Sequence, residues 1–171
     1  GLALSRNRIT AQLMQQVGPA RVAALAHAMG VRESRLEEVP SLALGTSPVT
    51  LYEMVAAYAT IANAGHYLAP AMVVRIENRR GEVLEEFRPA DPERALPAEA
   101  EDTLLDAMRG VIDHGTGSAI RSRFGIRADV AGKTGTTQDN ADGWFLLMHP
   151  QLVGGAWVGF NDSRVTLRSD Y

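Results

Sequence analysis

Ala131-Gly132-Lys133-Thr134-Gly135-Thr136-Thr137 is the stretch on which the reading of this chain turns. Its threonines, with Val130 just before, favour extended backbone. Side chains of a strand alternate, so Lys133, Gly135 and Thr137 share one face while Thr134 and Thr136 share the other. At a sheet edge such a strand can pair its backbone with an extended peptide. Gly135 allows another element or a ligand to come close. A threonine hydroxyl beside a lysine ammonium suits a terminal carboxylate, because together they offer a neutral donor and a charge. The plain alternative is a glycine-containing strand whose lysine points at water. Lys133 is the only lysine; the other 16 of the 17 basic residues are arginines.

Working outward, residues 129–137, 143–149 and 152–160 read as three strands with short connections, an antiparallel meander. Upstream the pattern is helical. Residues 8–17 place Ile9, Leu13 and Val17 on one face before Gly18, and Pro19 opens a second helix that Gly30 closes after Met29. After a loop over residues 40–48, Thr50 and Glu53 form a capping-box pattern ahead of a stripe of Leu51, Met54, Val55, Tyr58, Ile61 and Ala62. Residues 71–78 and 82–87 flank an Asn78-Arg79-Arg80-Gly81 turn and predict a surface hairpin. Residues 89–97 read as a loop. Residues 98–114 form a helix with Leu104, Leu105, Met108, Val111 and Ile112 inward. Helices followed by an antiparallel sheet predict an α+β fold, a helical subdomain plus a sheet.

A second short pattern, Ser5-Arg6-Asn7, stands immediately before the first helix. Serine and asparagine are preferred helix caps, so capping is the simplest role for either. The pairing of this pattern with the lysine strand, with helices between, is what gives both weight.

Composition limits the classes. The chain has 171 residues, 46% apolar and 22% charged, enough for one globular core. A net charge of −3 offers no electrostatic footprint for nucleic acid. With no cysteine there can be no disulfide, thiolate metal site or cysteine nucleophile. His27, His66, His114 and His149 lack metal-ligand spacing, so no metal and no cofactor is expected. No apolar run reaches the roughly 20 residues of a membrane span, and no secretory leader pattern opens the chain.

These residues resemble the transpeptidase domain of class A penicillin-binding proteins, which carries three motifs in order: Ser-x-x-Lys, Ser-x-Asn and Lys-Thr-Gly-Thr. Ser5-Arg6-Asn7 matches the second and Lys133-Thr134-Gly135-Thr136 the third. Residues 3–7, 42–50 and 57–65 also read like family segments, as do Gly115-Thr116-Gly117, Asp142-Gly143-Trp144-Phe145 and Trp157-Val158-Gly159-Phe160. One departure stands out. Four residues precede Ser5, and the lone lysine has Val130 three positions earlier, so no Ser-x-x-Lys occurs. The resemblance therefore implies that residues 1–171 are part of a transpeptidase domain, starting at Ser-x-Asn and lacking the nucleophile-bearing and C-terminal helices. It implies an incomplete penicillin-binding or serine β-lactamase-like fold.

What it implies for chemistry is acyl transfer on D-Ala-D-Ala stem peptides of peptidoglycan, with β-lactams as mimics of that substrate. Ser5 would relay a proton to the leaving amine, and Asn7 would orient the motif lysine and donate to the substrate carbonyl. Lys133 would supply positive potential. Thr134, Gly135, Thr136 and Thr137 would bind substrate, with Thr136 favoured for the carboxylate and its N–H for the oxyanion hole. By itself the chain is expected to be inactive. The parent is expected at the periplasmic face of the inner membrane, anchored by a segment outside these residues.

Rival readings are a D,D-carboxypeptidase or β-lactamase, a non-catalytic binding fragment and, from another class, a helix-turn-helix around residues 22–36 that would bind DNA. The acidic balance opposes the last. Gly115-Thr116-Gly117 follows a helix and lacks a nearby lysine, so it reads as a helix-ending turn rather than a phosphate loop. Trp144 and Trp157 read as core or sheet-face aromatics.

Overall fold

Glycine breaks the helical region where the sequence places it. Helices α1 (Asn7–Val17) and α2 (Pro19–Met29) meet at Gly18, whose φ of 91° lies in a region that suits glycine. The computed structural model describes residues 1–137, 140–160, 162 and 164–167. A 3-10 turn (Pro40–Leu44) leads to α3 (Leu51–Ala62), which opens on a complete capping box: Thr50 Oγ1 accepts from the Glu53 N–H, and the Glu53 carboxylate accepts from the Thr50 N–H.

Glu53 does more than cap. It is 2% exposed and accepts from five donors: the Thr50 N–H and hydroxyl, the Glu33 and Ser34 N–H groups, and the Ser34 hydroxyl. Burial is the largest influence and pushes its pKa up. The Ser34, Thr50 and Glu33 hydrogen bonds outweigh it and hold the carboxyl at about 2. This knot also disposes of the helix-turn-helix. Residues 31–39 form no helix, because their backbone donors at 33 and 34 are bound to Glu53 instead.

Three small sheets follow, all antiparallel. Strand β1 (His66–Tyr67) pairs with β4 (Glu93–Arg94), a ladder inside the segment expected to be loop. Its anchor is the Gly65 carbonyl, which accepts from the Ala95 and Leu96 N–H groups. Strands β2 (Arg75–Glu77) and β3 (Val83–Glu86) make the expected hairpin, shorter than the alternation of residues 71–78 suggested. Its apolar face meets no partner among the described residues: Met72 is 94% exposed, and Val74 and Ile76 are exposed too. The Asn78 side chain holds the turn, its Oδ1 accepting from the Arg80 and Glu82 N–H groups.

The third sheet is the meander β5 (Ala131–Thr136), β6 (Asp142–His149) and β7 (Leu152–Gly159), in that spatial order. Helix α4 (Ala98–His114) packs against β5, and a short α5 (Ala119–Ser122) follows it; α3 packs against β6 and β7. Met108, Val111 and Ile112 of α4 are buried, and Ile61, Leu96, Met108, Ala131 and Met148 cluster at the centre. Gly132 makes the α4 contact possible, since a methyl there would sit 2.5 Å from the Leu146 carbonyl oxygen and 3.2 Å from Ile112. The architecture is the α+β layering expected from helices followed by a meander.

Candidate active site

Residues 1–6 form a tight turn that the first helix only partly explains. The Ser5 N–H donates to the Leu2 carbonyl at 3.1 Å and the Arg6 N–H to the Gly1 carbonyl at 3.1 Å. Ser5 itself has φ of 50°, a left-handed conformation that non-glycine residues seldom adopt and that costs about 1–3 kcal/mol. Neither Ser5 nor Asn7 caps α1. The N-cap is Arg6, with no side-chain cap bond, and Asn7 is the first helical residue. Capping, the simplest reading of this motif, therefore accounts for neither side chain.

What the Ser5 hydroxyl does touch is Lys133. The Lys133 ammonium donates to Ser5 Oγ and, at 2.7 Å, to the carbonyl of Thr134, linking residues 128 positions apart. An ammonium has three N–H donors and no acceptor. Two are directed here, which leaves one for a ligand. The group is half-buried, and burial holds its pKa below the ordinary lysine value. No carboxylate pairs with it among the described residues. A cation removed from water without a counter-ion is a place where an anion binds favourably.

The edge position of β5 presents this cation. In the order β5-β6-β7, one side of β5 pairs with β6 from Ala131↔Met148 to Thr136↔Gly143, and the other carries no strand among the described residues. Thr134 sits with its hydroxyl 2.5 Å from that of Thr116. Thr136 is exposed. The space left by Gly135 is taken by Trp144, whose Cβ would lie 3.1 Å from an added methyl, so this glycine admits a neighbouring strand. Thr137 closes the β5–β6 turn: its Oγ1 accepts from the Asp142 N–H at 2.9 Å. Asn7 is exposed and makes no side-chain hydrogen bond to another described residue. Of the seven candidates, then, Ser5 and Lys133 touch, Thr134 and Thr136 lie on the same strand, and Thr137 is occupied by its turn.

Thr116 escaped the sequence reading. The turn that ends α4 continues into a clamp, with the Thr116 N–H donating to the Ala3 carbonyl at 3.0 Å. A side chain at Gly115 would collide with that same carbonyl oxygen. Two glycines flanking a threonine signal a tight turn but not the partner the turn grips. Beyond it, both tryptophan indoles donate to Asp142 Oδ2, Trp144 at 3.2 Å and Trp157 at 3.0 Å, and the rings meet edge to face. They brace the end of the meander next to the lysine strand.

No group of three or more acidic or histidine side chains among the described residues could hold a metal ion, and none of the described helices is long and apolar enough to cross a membrane.

Comparison with known proteins places this geometry in context. Residues 1–146 match the penicillin binding protein transpeptidase domain. Penicillin-binding protein 1A of Aquifex aeolicus is 38% identical over 160 residues, covering 94% of this chain and 21% of that protein. The chain spans between 21% and 26% of the length of this and other similar curated relatives. The crystal structure of penicillin-binding protein 1A from Haemophilus influenzae superposes on all of the chain and 31% of its own, with a TM-score of 0.90 at 24% identity, a likeness of fold. PonA1 from Mycobacterium tuberculosis, solved in complex with penicillin V, gives 0.75 at 26% identity over 92% of this chain and 46% of its own.

Proposed function

The chain belongs to the penicillin binding protein transpeptidase domain family, and on that premise we propose that it forms one wall of a serine D,D-transpeptidase site that cross-links peptidoglycan stem peptides and is acylated by β-lactams. Residues 1–171 are then the C-terminal part of that domain, and the nucleophilic serine and its motif lysine belong to a part of the parent protein outside them. The parent acts at the periplasmic face of the inner membrane, held there by an anchor outside these residues. One observation carries the reading: the half-buried Lys133 ammonium, without an acidic partner among the described residues, rests on the Ser5 hydroxyl at the edge of β5 that no described strand covers.

The chemistry follows from the parts. The nucleophile's oxygen bonds to the carbonyl carbon of the penultimate D-alanine, and the bond to the terminal D-alanine nitrogen breaks. Ser5 passes a proton to that leaving nitrogen, its hydroxyl polarised by the ammonium donating to it. Lys133 directs its remaining N–H to the substrate carboxylate, and Thr134 and Thr136 add hydroxyls. The Thr136 N–H forms half of the oxyanion hole on the open edge of the strand, where the substrate backbone lies alongside β5. Asn7, whose side chain bonds no other described residue, donates to the substrate amide carbonyl. An amine of a second stem peptide then displaces the ester, regenerating the serine.

The test compares two preparations with a fluorescent penicillin on a denaturing gel. The full-length parent is expected to carry a covalent band and residues 1–171 alone none. A covalent band on the 171 residues would place a nucleophile within them and contradict the division of the site.

A further inference from the structure

We infer that Thr116 is a positioning residue that aims the Thr134 hydroxyl at the carboxylate of the substrate; this rests on the acyl-transfer reading above. Thr116 is held from three directions. Its N–H is bound to the Ala3 carbonyl, Gly115 before it admits no side chain against that carbonyl, and Gly117 after it returns its own N–H to Val111 at 3.0 Å. The hydroxyl is thereby delivered 2.5 Å from Thr134 Oγ1.

A hydroxyl has one proton to donate and two lone pairs to accept with. When Thr134 donates to Thr116, its proton is spent inside the pair. When Thr116 donates to Thr134, the Thr134 proton is free to turn outward, and Thr134 becomes a better donor because its oxygen already accepts. The two arrangements differ by a single rotation of each O–H. An anion drawn to the Lys133 ammonium, which reaches along the strand to donate to the Thr134 carbonyl at 2.7 Å, selects the second. Thr116 is exposed and Thr134 only half-buried, so water could satisfy each hydroxyl separately and burial does not force them together. The same turn grips the Ser5 loop through Ala3, so one threonine links the proton-relay wall to the carboxylate wall. Its effect is confined to ligands that present a carboxylate.

The experiment uses the full-length parent and two thioesters, an acyl-D-alanyl thioglycolate that ends in a carboxylate and its glycolamide counterpart that does not, with thiol release as the readout. Thr116→Val is expected to lower kcat/KM for the thioglycolate about 5–10-fold, because the Thr134 hydroxyl loses the hydrogen bond that orients and polarises it toward the carboxylate. It should change the glycolamide rate less than twofold, and Thr116→Ser should recover the thioglycolate rate. Equal slowing of both thioesters would make Thr116 a purely structural brace and overturn the inference. Preference for the carboxylate retained in Thr116→Val would overturn it as well. A wild-type protein that does not distinguish the two thioesters would contradict the carboxylate reading of the site itself, and the inference with it.

Discussion

Two polar clusters in this molecule face opposite fates. Glu53 is a buried carboxylate enclosed by five donors from two segments, residues 33–34 and Thr50. Lys133 is a half-buried ammonium with two acceptors and no opposing charge among the described residues. Both lie where tertiary structure brings distant residues together. The first is closed: every lone pair is used, nothing can be added, and its work is to join the segment after α2 to the start of α3. The second is open on a strand edge, with a donor left over. A saturated charge stabilises a fold, while an unsaturated one waits for a ligand.

Exchanging the two properties breaks the comparison most sharply at Lys133. In the full-length parent, Lys133→Ala is expected to slow β-lactam acylation by about 100-fold or more, with a change in unfolding temperature of no more than a few degrees. Acylation kinetics and a thermal melt on the same preparation check this. Normal acylation with a collapsed melt would mean that the lysine is structural.

Glu53 should show the reverse. Glu53→Gln replaces a carboxylate by an amide that cannot accept from all five donors, and about 2–3 kcal/mol of stability should be lost, read by urea unfolding, with acylation per folded molecule nearly unchanged. The pH dependence has a definite sign. The folded pKa of Glu53 lies at about 2, below the ordinary 4.5, so its contribution is full above 4.5 and fades as pH falls from 4.5 toward 2. Glu53→Gln should therefore flatten the stability slope in that window. An unaltered slope would show that the carboxylate is not held down by its donors.

The closed cluster was half legible in the sequence and the open one legible by motif alone. Thr50 and Glu53 lie three residues apart, a local pattern that names its own helix start. The donors at 33 and 34 come from a separate segment whose path no periodicity describes, so that stretch could be mistaken for part of a helix-turn-helix. Strands β5 to β7 were readable because short connections and alternation leave one antiparallel arrangement. The β1–β4 ladder, two residues on each side and joined across 26 positions, carries no such signal. At Ser5 the sequence favoured a cap, since serine before a helix is common there; a left-handed backbone and a contact from β5 are tertiary facts. The same holds for Thr116, whose glycine neighbours announced a turn but not what it would grip.

The most direct test of the central claim, that Ser5 and Lys133 act as one unit, is a double-mutant cycle on β-lactam acylation in the full-length parent. Residues in contact couple, and Ser5→Ala, Lys133→Ala and the double variant measure by how much. The expected result is strong non-additivity: the double variant should be no more than a few-fold slower than Lys133→Ala alone, a coupling above about 1 kcal/mol. If instead the two losses multiply, the side chains act independently and the shared cleft is refuted.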